Sequence, residues 1–301
     1  MLSFLAPATG PHPRRGSSQT PRRSRGAVWP QALLQSTIAS VRLALILLTM
    51  FGCTACFQMS TVMKVNGDGS GTVEHRMLFT AKALAQLRQF SALGGGRAVD
   101  PTSEQQAREM ASALGPGVTY VSSTSVKTPT GEGRDAIYSF TDVNQLRVAT
   151  QPAAPGGITI RTPVLTTEAD ALTFSLSHET NGNRVLHVIV PENKLIDAIA
   201  SNAATLPQQM PMIKSMLAGA QIALTVEPAG ALVRASTPYA DGKRVTLLEV
   251  DLDELLKDSD ALLARVQAAK TPEEVKAALK DAPGLKMTLA REITIEFTPE
   301  K

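Results

Sequence analysis

The residue types that most often do chemistry are scarce in this chain. It has two cysteines, Cys53 and Cys56, which stand together at the end of an apolar run. Because no cysteine follows residue 56, the remainder has no disulfide, no thiolate metal site and no cysteine nucleophile. The C-x-x-C spacing also occurs in redox motifs, but no strand–helix unit of that kind surrounds it here. The sequence therefore excludes catalytic-thiol and zinc-finger proteins.

Histidine is the next candidate for catalysis or metal binding, and only His75, His178 and His187 follow the cysteines. They are far apart and form no His-x-x-x-His pair. His187 lies within the apolar run 185–190 and His75 shares the apolar parity of its strand, so both are predicted to be core histidines. No Gly-x-Ser-x-Gly elbow occurs, so a Ser–His–Asp hydrolase would need unmarked residues. The sequence predicts no catalytic residue, no metal site and no cofactor.

Two acidic stretches look like sites at first but are better explained by local structure. The glycine-rich segment 66–71 resembles a calcium loop, yet the twelfth position, where an EF-hand needs Glu, is Met77. Strand-like alternation flanks the segment, so a hairpin turn is predicted. Asp251, Asp253 and Glu254 open a predicted helix, where carboxylates complement the helix dipole. Capping is therefore the predicted role of these three residues.

The predicted helix 205–218 is the candidate binding surface. It is rich in methionine and carries a single charge, Lys214. Methionine-rich apolar helices can line adaptable grooves, and they can also simply pack in a core. Both alternatives stay open at the level of sequence. The candidate binding residues on this helix are Met210, Met212, Ile213, Met216 and Leu217.

The segment 41–55 has the layout of a bacterial lipoprotein signal peptide. Arg42 is followed by apolar residues 43–51 and then by small residues before cysteine. The mostly apolar segment 43–57 holds 15 residues, which is short of the ~20 that a membrane-spanning helix needs. We predict lipidation of Cys56, because Thr and Ala precede it; Cys53 is the alternative. An uncleaved N-terminal membrane anchor is the other interpretation of this segment.

Residues 1–40 are rich in Pro, Arg, Ser and Gly and show no apolar period, which predicts a disordered basic leader. The alternative is that translation starts near Val41 and that the leader is never made. Residues 1–55 hold six Arg and no acid, although the net charge of the whole chain is only +3. Residues 56–301 therefore carry 24 basic and 27 acidic residues. A mildly acidic folded part argues against nucleic-acid binding.

Apolar periodicity in residues 56–301 predicts an exported α+β domain, mostly antiparallel sheet with packed helices. A sub-boundary is predicted at the Pro- and Gly-rich linker 151–157. A final alternating stretch covers 285–297. The predicted helices are 81–93, 103–114, 205–218, 252–269 and 272–280. The predicted strands are 57–65, 73–79, 118–127, 135–141, 158–162, 171–177, 184–190, 221–227, 231–237 and 243–250.

Two patches resemble bacterial lipoproteins of the LppM type. One is Cys56-Phe-Gln-Met followed by the strand and turn 63–72, and the other is 224–230 with its following strand 247–251. The resemblance implies an envelope-facing α+β domain and favours Cys56 as the lipidated residue. It implies no catalytic residue. The long leader and the additional Cys53 depart from the pattern.

These observations predict a cell-envelope lipoprotein, anchored in the membrane by an acyl (palmitate-type) group, with its folded domain outside the cytoplasm. The predicted role is a non-enzymatic binding or assembly module for a lipid or an envelope protein. The alternative is a hydrolase-like envelope enzyme. A pocket holding a histidine beside Asp, Glu or Ser would favour the enzyme, and an apolar groove would favour binding.

Overall fold

A computed structural model describes residues 57–85, 100, 102–149, 171–191 and 205–300. All of them belong to one compact unit, Met50–Lys301. The predictions for the leader, the signal segment, both cysteines, the strand at 158–162 and the boundary at 151–157 fall outside these residues. The helices are α1 Glu104–Ala113, α2 Leu206–Leu217, α3 Leu252–Lys257, α4 Ser259–Ala268 and α5 Pro272–Lys280. The strands are β1 Phe57–Val65, β2 Gly71–Thr80, β3 Thr119–Lys127, β4 Gly131–Phe140, β5 Arg147–Ala149, β6 Ala171–His178, β7 Arg184–Ile189, β8 Gln221–Pro228, β9 Gly230–Ala235, β10 Ala240–Asp241, β11 Arg244–Asp251, β12 Leu285–Met287 and β13 Glu292–Pro299.

The larger sheet has eight strands, in the order β10-β11-β8-β1-β2-β4-β3, with β12 also paired to β11. Strand β1 lies near its centre. It pairs with β2 antiparallel and with β8 parallel, and the other described strand pairs in this sheet are antiparallel. Since β1 opens the described chain and β8 lies in its second half, this pairing joins the two halves in one sheet.

The smaller sheet has five strands, in the order β5-β6-β7-β13-β9, and all its described pairs are antiparallel. Its inner face packs on the inner face of the larger sheet in one core of buried side chains. Met63, Tyr138 and Val226 come from the larger sheet, and Leu186 and Phe297 come from the smaller one; all five are fully buried. The α+β class with mostly antiparallel sheet is thereby confirmed.

The first hairpin forms as predicted, and its turn is held by local hydrogen bonds. The Asp68 carboxylate accepts from the backbone N–H and the hydroxyl of Ser70, at 2.9 and 2.7 Å. Gly69 has φ +88°, a backbone conformation that favours glycine. The Gly67 carbonyl accepts from Arg184 Nε at 2.8 Å. The hydrogen bond from Arg184 therefore connects this turn of the larger sheet to β7 of the smaller sheet. The local bonds are those of a hairpin turn, as predicted, and not those of a calcium loop.

Helices α2, α4 and α5 share a separate small apolar cluster, in which Leu206, Leu263 and Val275 are buried. The predicted start of α5 is confirmed, because Thr271 Oγ1 accepts from the Glu274 N–H at 3.3 Å. The predicted helix 252–269 is instead two helices, α3 and α4. Asp258, at φ −116° and ψ 51°, is too far from helical dihedrals to continue α3.

The final alternating stretch 285–297, which the sequence shows as one continuous pattern, forms two strands in different sheets. Residues Leu285–Met287 form β12 and pair with β11 in the larger sheet. Residues Glu292–Pro299 form β13 and pair with β7 and β9 in the smaller sheet. The chain therefore crosses between the sheets at residues 288–291, and the apolar residues are half-buried in β12 and buried in β13.

Candidate functional site

The candidate binding helix α2 lies at the end of the larger sheet where β1 begins. Gln58, two residues after Cys56, pairs with Gln221, the first residue of β8. The segment between α2 and β8 is held in place: Gly219 N–H donates to Asp253 Oδ1 at 2.7 Å and Ala220 N–H donates to the Leu217 carbonyl at 3.0 Å. The segment that follows α2 therefore enters the sheet at Gln221, next to Gln58 near the start of β1.

One face of α2 is used for packing. Leu206 is buried and Met210 packs against the same helical cluster. Ile213 and Leu217 are half-buried and, at spacings of three and four residues, continue the face that Met210 occupies. Met212 and Met216 are four residues apart and fall off that face by spacing, and their side chains are outside the described part. Of the five candidate residues, three therefore belong to the packing face (Met210, Ile213 and Leu217) and two do not (Met212 and Met216).

Two shallow cavities open on the larger sheet, with volumes of about 280 and 300 Å³. The first lies at the end where β1 begins and is lined by Gln58, Arg76, Gln221 and Glu249, among others. Its charged groups already have partners: Arg76 forms two hydrogen bonds to Asp135 and Glu249 pairs with Lys286. No histidine is among the described residues that line either cavity.

His75 on β2 is half-buried, and the Nε2 edge of its ring faces the interior. Its Nδ1 lies 2.9 Å from Thr61 Oγ1, and its Nε2 is buried without a hydrogen-bond partner among the described residues. Burial lowers the pKa of His75 to about 4 from an ordinary 6.5, because the charged ring would lose its hydration. His75 shares the parity of buried Val73 and Phe79, as predicted, but the ring is only half-buried and only one of its two nitrogens has a hydrogen-bond partner among the described residues.

His187 is not a core histidine, and the prediction for it was wrong. Its neighbours Leu186 and Val188 point into the core, so strand alternation places His187 on the outer face of the smaller sheet, with 30% of its side chain exposed. There His187 Nδ1 lies 2.5 Å from Glu292 Oε1, and Nε2 lies 3.3 Å from Ser177 Oγ. A serine, a histidine and a carboxylate thus meet on one sheet face.

Sequence reasoning missed this group because its members are not neighbours in the chain. Ser177 and His187 are 10 residues apart, and Glu292 is a further 105 residues away. A signal for the first pair existed: Asn181-Gly182 is a hairpin-turn dipeptide, and Gly182 has φ +87°. That turn sets the β6–β7 register and hence the Ser177–His187 contact. Glu292 depends on the pairing of β13 with β7, for which no local signal exists.

The predicted capping role is confirmed for Asp251, which is the N-cap of α3, whereas Asp253 and Glu254 lie in the first turn of the helix. Asp251 Oδ1 accepts from the Glu254 N–H at 3.1 Å, and Asp253 accepts from Gly219 as described above. His178 is exposed at the end of β6. The described residues contain no group of three or more His, Cys, Asp or Glu placed to hold a metal ion. Within the same residues, no helix combines the length and apolar character needed to cross a bilayer.

Comparisons with known proteins add a distant similarity. No protein-family model matches the chain, and no curated protein sequence matches it. The chain overlaps distantly with the NMR structure of the LppM folded domain from Mycobacterium tuberculosis, over 82% of this chain and 96% of that chain, at 8% identity and a TM-score of 0.31. An overlap at this TM-score does not define a shared fold, so the α+β class rests on the sheets and helices described above.

Proposed function

We propose that this chain is a cell-envelope lipoprotein, anchored through Cys56, whose α2 end serves non-enzymatic binding or assembly outside the cytoplasm. The observation that carries the proposal is the position of β1. This strand begins at Phe57, one residue after the predicted lipid attachment site, and Gln58 pairs with Gln221, the first residue of the strand that follows α2. Anchor and candidate binding helix therefore belong to one end of the domain.

The attachment point would be mechanically direct. Consecutive Cα atoms are ~3.8 Å apart, so a lipid on Cys56 would be joined to a central strand without a flexible linker. Strand β1 is paired along its whole length with β2 and along most of it with β8. A single acyl chain holds a protein to a membrane only marginally, whereas several chains make the attachment stable. A multiply acylated Cys56 would hold the α2 end at the membrane surface.

Lipid attachment predicts a defined labelling result. In cells fed a palmitate analogue, we expect the wild-type chain and Cys53→Ser to carry the label and Cys56→Ser to lose it. In a bacterial lipoprotein the cysteine sulfur carries a diacylglycerol through a thioether bond. A serine hydroxyl at position 56 cannot replace that sulfur. Label retained by Cys56→Ser and lost from Cys53→Ser would move the site to Cys53.

Two outcomes of the same labelling would overturn the anchor. One is an unlabelled wild-type chain, and the other is undiminished label in the Cys53→Ser, Cys56→Ser double variant. The length of the mature chain separates the remaining alternative, because an uncleaved anchor would leave residues 1–55 attached, whereas a processed lipoprotein would begin at Cys56.

The binding role of α2 predicts different behaviour for two methionines on the same helix. Met212→Glu is expected to abolish capture of the lipid or envelope-protein partner in pull-downs from intact envelope, with an almost unchanged melting temperature. Met210 packs against the helical cluster, so Met210→Glu is the matched control. It is expected to lower the free energy of unfolding by about 2–4 kcal/mol, because it places a charge against apolar side chains.

The melting temperature of Met212→Glu decides between the groove and the core. A fall as large as that of Met210→Glu would assign both methionines to packing and remove α2 as a binding surface. An unchanged melting temperature together with unchanged capture would also contradict the proposal, because Met212 would then contribute neither to binding nor to packing.

A further inference from the structure

The outer face of the smaller sheet carries a serine, a histidine and a carboxylate in the order used by serine hydrolases. Ser177 lies on β6, His187 on β7 and Glu292 on β13. Ser177 Oγ is 3.3 Å from His187 Nε2, and Glu292 Oε1 is 2.5 Å from His187 Nδ1. Each ring nitrogen thus has a different partner, on opposite sides of the central strand.

The two partners determine which tautomer the ring adopts. An ionised carboxylate can only accept hydrogen bonds, so the neutral ring carries its proton on Nδ1 and donates it to Glu292. The lone pair on Nε2 then faces the Ser177 hydroxyl, which also lies within 3.4 Å of the Val185 carbonyl and turns from that acceptor to Nε2 when it gives up its proton. This is the tautomer that a general base needs to withdraw a serine proton. The Ser177 distance is at the long end for a hydrogen bond, which is common for a nucleophile and base before substrate binds.

The sheet register holds the three residues rigidly. Ser177 pairs with Val185 and Glu292 pairs with Ile189, so each partner lies diagonally across from His187. Ser175 lies directly opposite His187 and is the more exposed of the two serines, yet Ser177 makes the contact with Nε2. Groups built on strands keep their geometry better than groups on loops. Exposure alone would favour Ser175 as the nucleophile, whereas the contact with His187 Nε2 favours Ser177.

The nearby carboxylate on β13, Glu296, is already engaged. It accepts from Asn183 Nδ2 at 2.7 Å and from Arg234 Nε at 2.6 Å. These bonds, the one from Asn183 most of all, lower the pKa of Glu296 below its usual value and keep it ionised. Glu296 therefore belongs to a neighbouring ion-paired group, and Glu292 is the carboxylate that orients His187.

We infer that Ser177 is an activated nucleophile and that this face cleaves acyl esters. Ser177 Oγ attacks the ester carbonyl carbon while its proton passes to His187 Nε2, and a tetrahedral intermediate forms. Breaking the bond to the leaving oxygen returns the carbonyl, and His187 Nε2 donates the proton to that oxygen. Water then attacks the acyl-serine by the same route, releasing the acid and restoring Ser177. Glu292 stabilises the positively charged ring in both halves of the reaction.

The exposure of this sheet face to solvent indicates which esters it would cleave. The side chains of His187 and Glu292 are 30% and 50% exposed, so bulk water reaches the site. Ile189, which is 41% exposed, lies on the same face of β7 and offers an apolar contact for an acyl chain. An ester with a good leaving group, such as an aryl acetate, needs little help in expelling its oxygen. It is therefore the substrate of choice, ahead of amides.

The test uses the purified full-length chain in detergent with a fluorophosphonate probe and p-nitrophenyl acetate. We expect the probe to label Ser177, as located by mass spectrometry, and Ser177→Ala to lose both labelling and ester hydrolysis. Ser175→Ala is the matched control and should retain both. His187→Gln should slow labelling about 100-fold, since general-base catalysis contributes 10²–10⁴-fold. Glu292→Gln should lower the rate with the site of labelling unchanged.

Labelling of Ser175 or of scattered serines, or hydrolysis that survives in Ser177→Ala, would overturn the inference. So would a wild-type chain that the probe does not label. Equal melting temperatures for Ser177→Ala and Ser175→Ala verify that a loss of reaction is not a loss of fold. This inference is independent of the proposed anchor, because lipid labelling of Cys56 and probe labelling of Ser177 can each succeed or fail alone.

Discussion

Replacing Phe297 by Ala is expected to lower the free energy of unfolding by about 3–5 kcal/mol. Phe297 lies on β13, is 0% exposed and belongs to the core between the two sheets. The substitution loses the favourable free energy of burying a large aromatic side chain. It also leaves a cavity, which β13 cannot close because it is paired with a strand on each side. Urea unfolding of the folded domain, followed by circular dichroism, measures the change.

Val233→Ala on the neighbouring strand β9 is the matched control for Phe297→Ala. Val233 is 51% exposed, so its truncation should change stability by less than about 0.5 kcal/mol. Similar, small effects of both substitutions would mean that the two sheets do not enclose a common core. A large effect confined to Phe297 would support the sandwich arrangement that also places His187 on the opposite, outer face.

His75 is expected to make the domain lose about 2–3 kcal/mol of stability between pH 7 and pH 4. The pKa of His75 is about 4 in the folded chain and 6.5 when unfolded. Between these values the unfolded chain binds a proton that the folded chain does not, so falling pH favours unfolding. Above pH 6.5 the ring is neutral in both states and contributes no pH dependence. Denaturant unfolding at several pH values measures the slope.

His75→Gln removes the titration and keeps a polar side chain facing Thr61, so its stability should decline less between pH 7 and pH 4 than that of the wild type. His178→Gln, at an exposed position, should follow the wild-type profile. Parallel profiles for all three proteins would contradict the neutral state of His75 in the folded chain. Acidic side chains titrate in all three proteins alike, so the difference between profiles isolates the histidine.

Much of the local structure was predictable because its causes are local. The first hairpin follows from alternation around a turn that Asp68 and Gly69 close by themselves. The start of α5 follows from Thr271, whose hydroxyl caps a backbone N–H three residues away. Such signals need only a few neighbouring residues, so they survive in any tertiary context. The break at Asp258 was missed because no Gly or Pro marks it.

The candidate site was predictable only in part. The apolar periodicity of α2 identified a binding or packing helix, but which face packs depended on α4 and α5, which come later in the chain. The parallel pairing of β1 with β8, the strand that follows α2, joins residues more than 160 positions apart. Pairing at that separation leaves no periodic trace in either strand.

Position 187 shows where local reasoning stops. An unbroken apolar run predicted a strand buried on both faces and hence a core histidine. Alternation along β7 places Leu186 and Val188 in the core, and it leaves His187 outside because only one face of this sheet is covered by the larger sheet. Composition and spacing alone predicted the α+β class, which the structure confirms, and an N-terminal acylation motif, which stays a prediction. The pairing of β6, β7 and β13 decided that Ser177, His187 and Glu292 meet, since a register is selected by burial of the whole sheet face and not by the residues that it brings together.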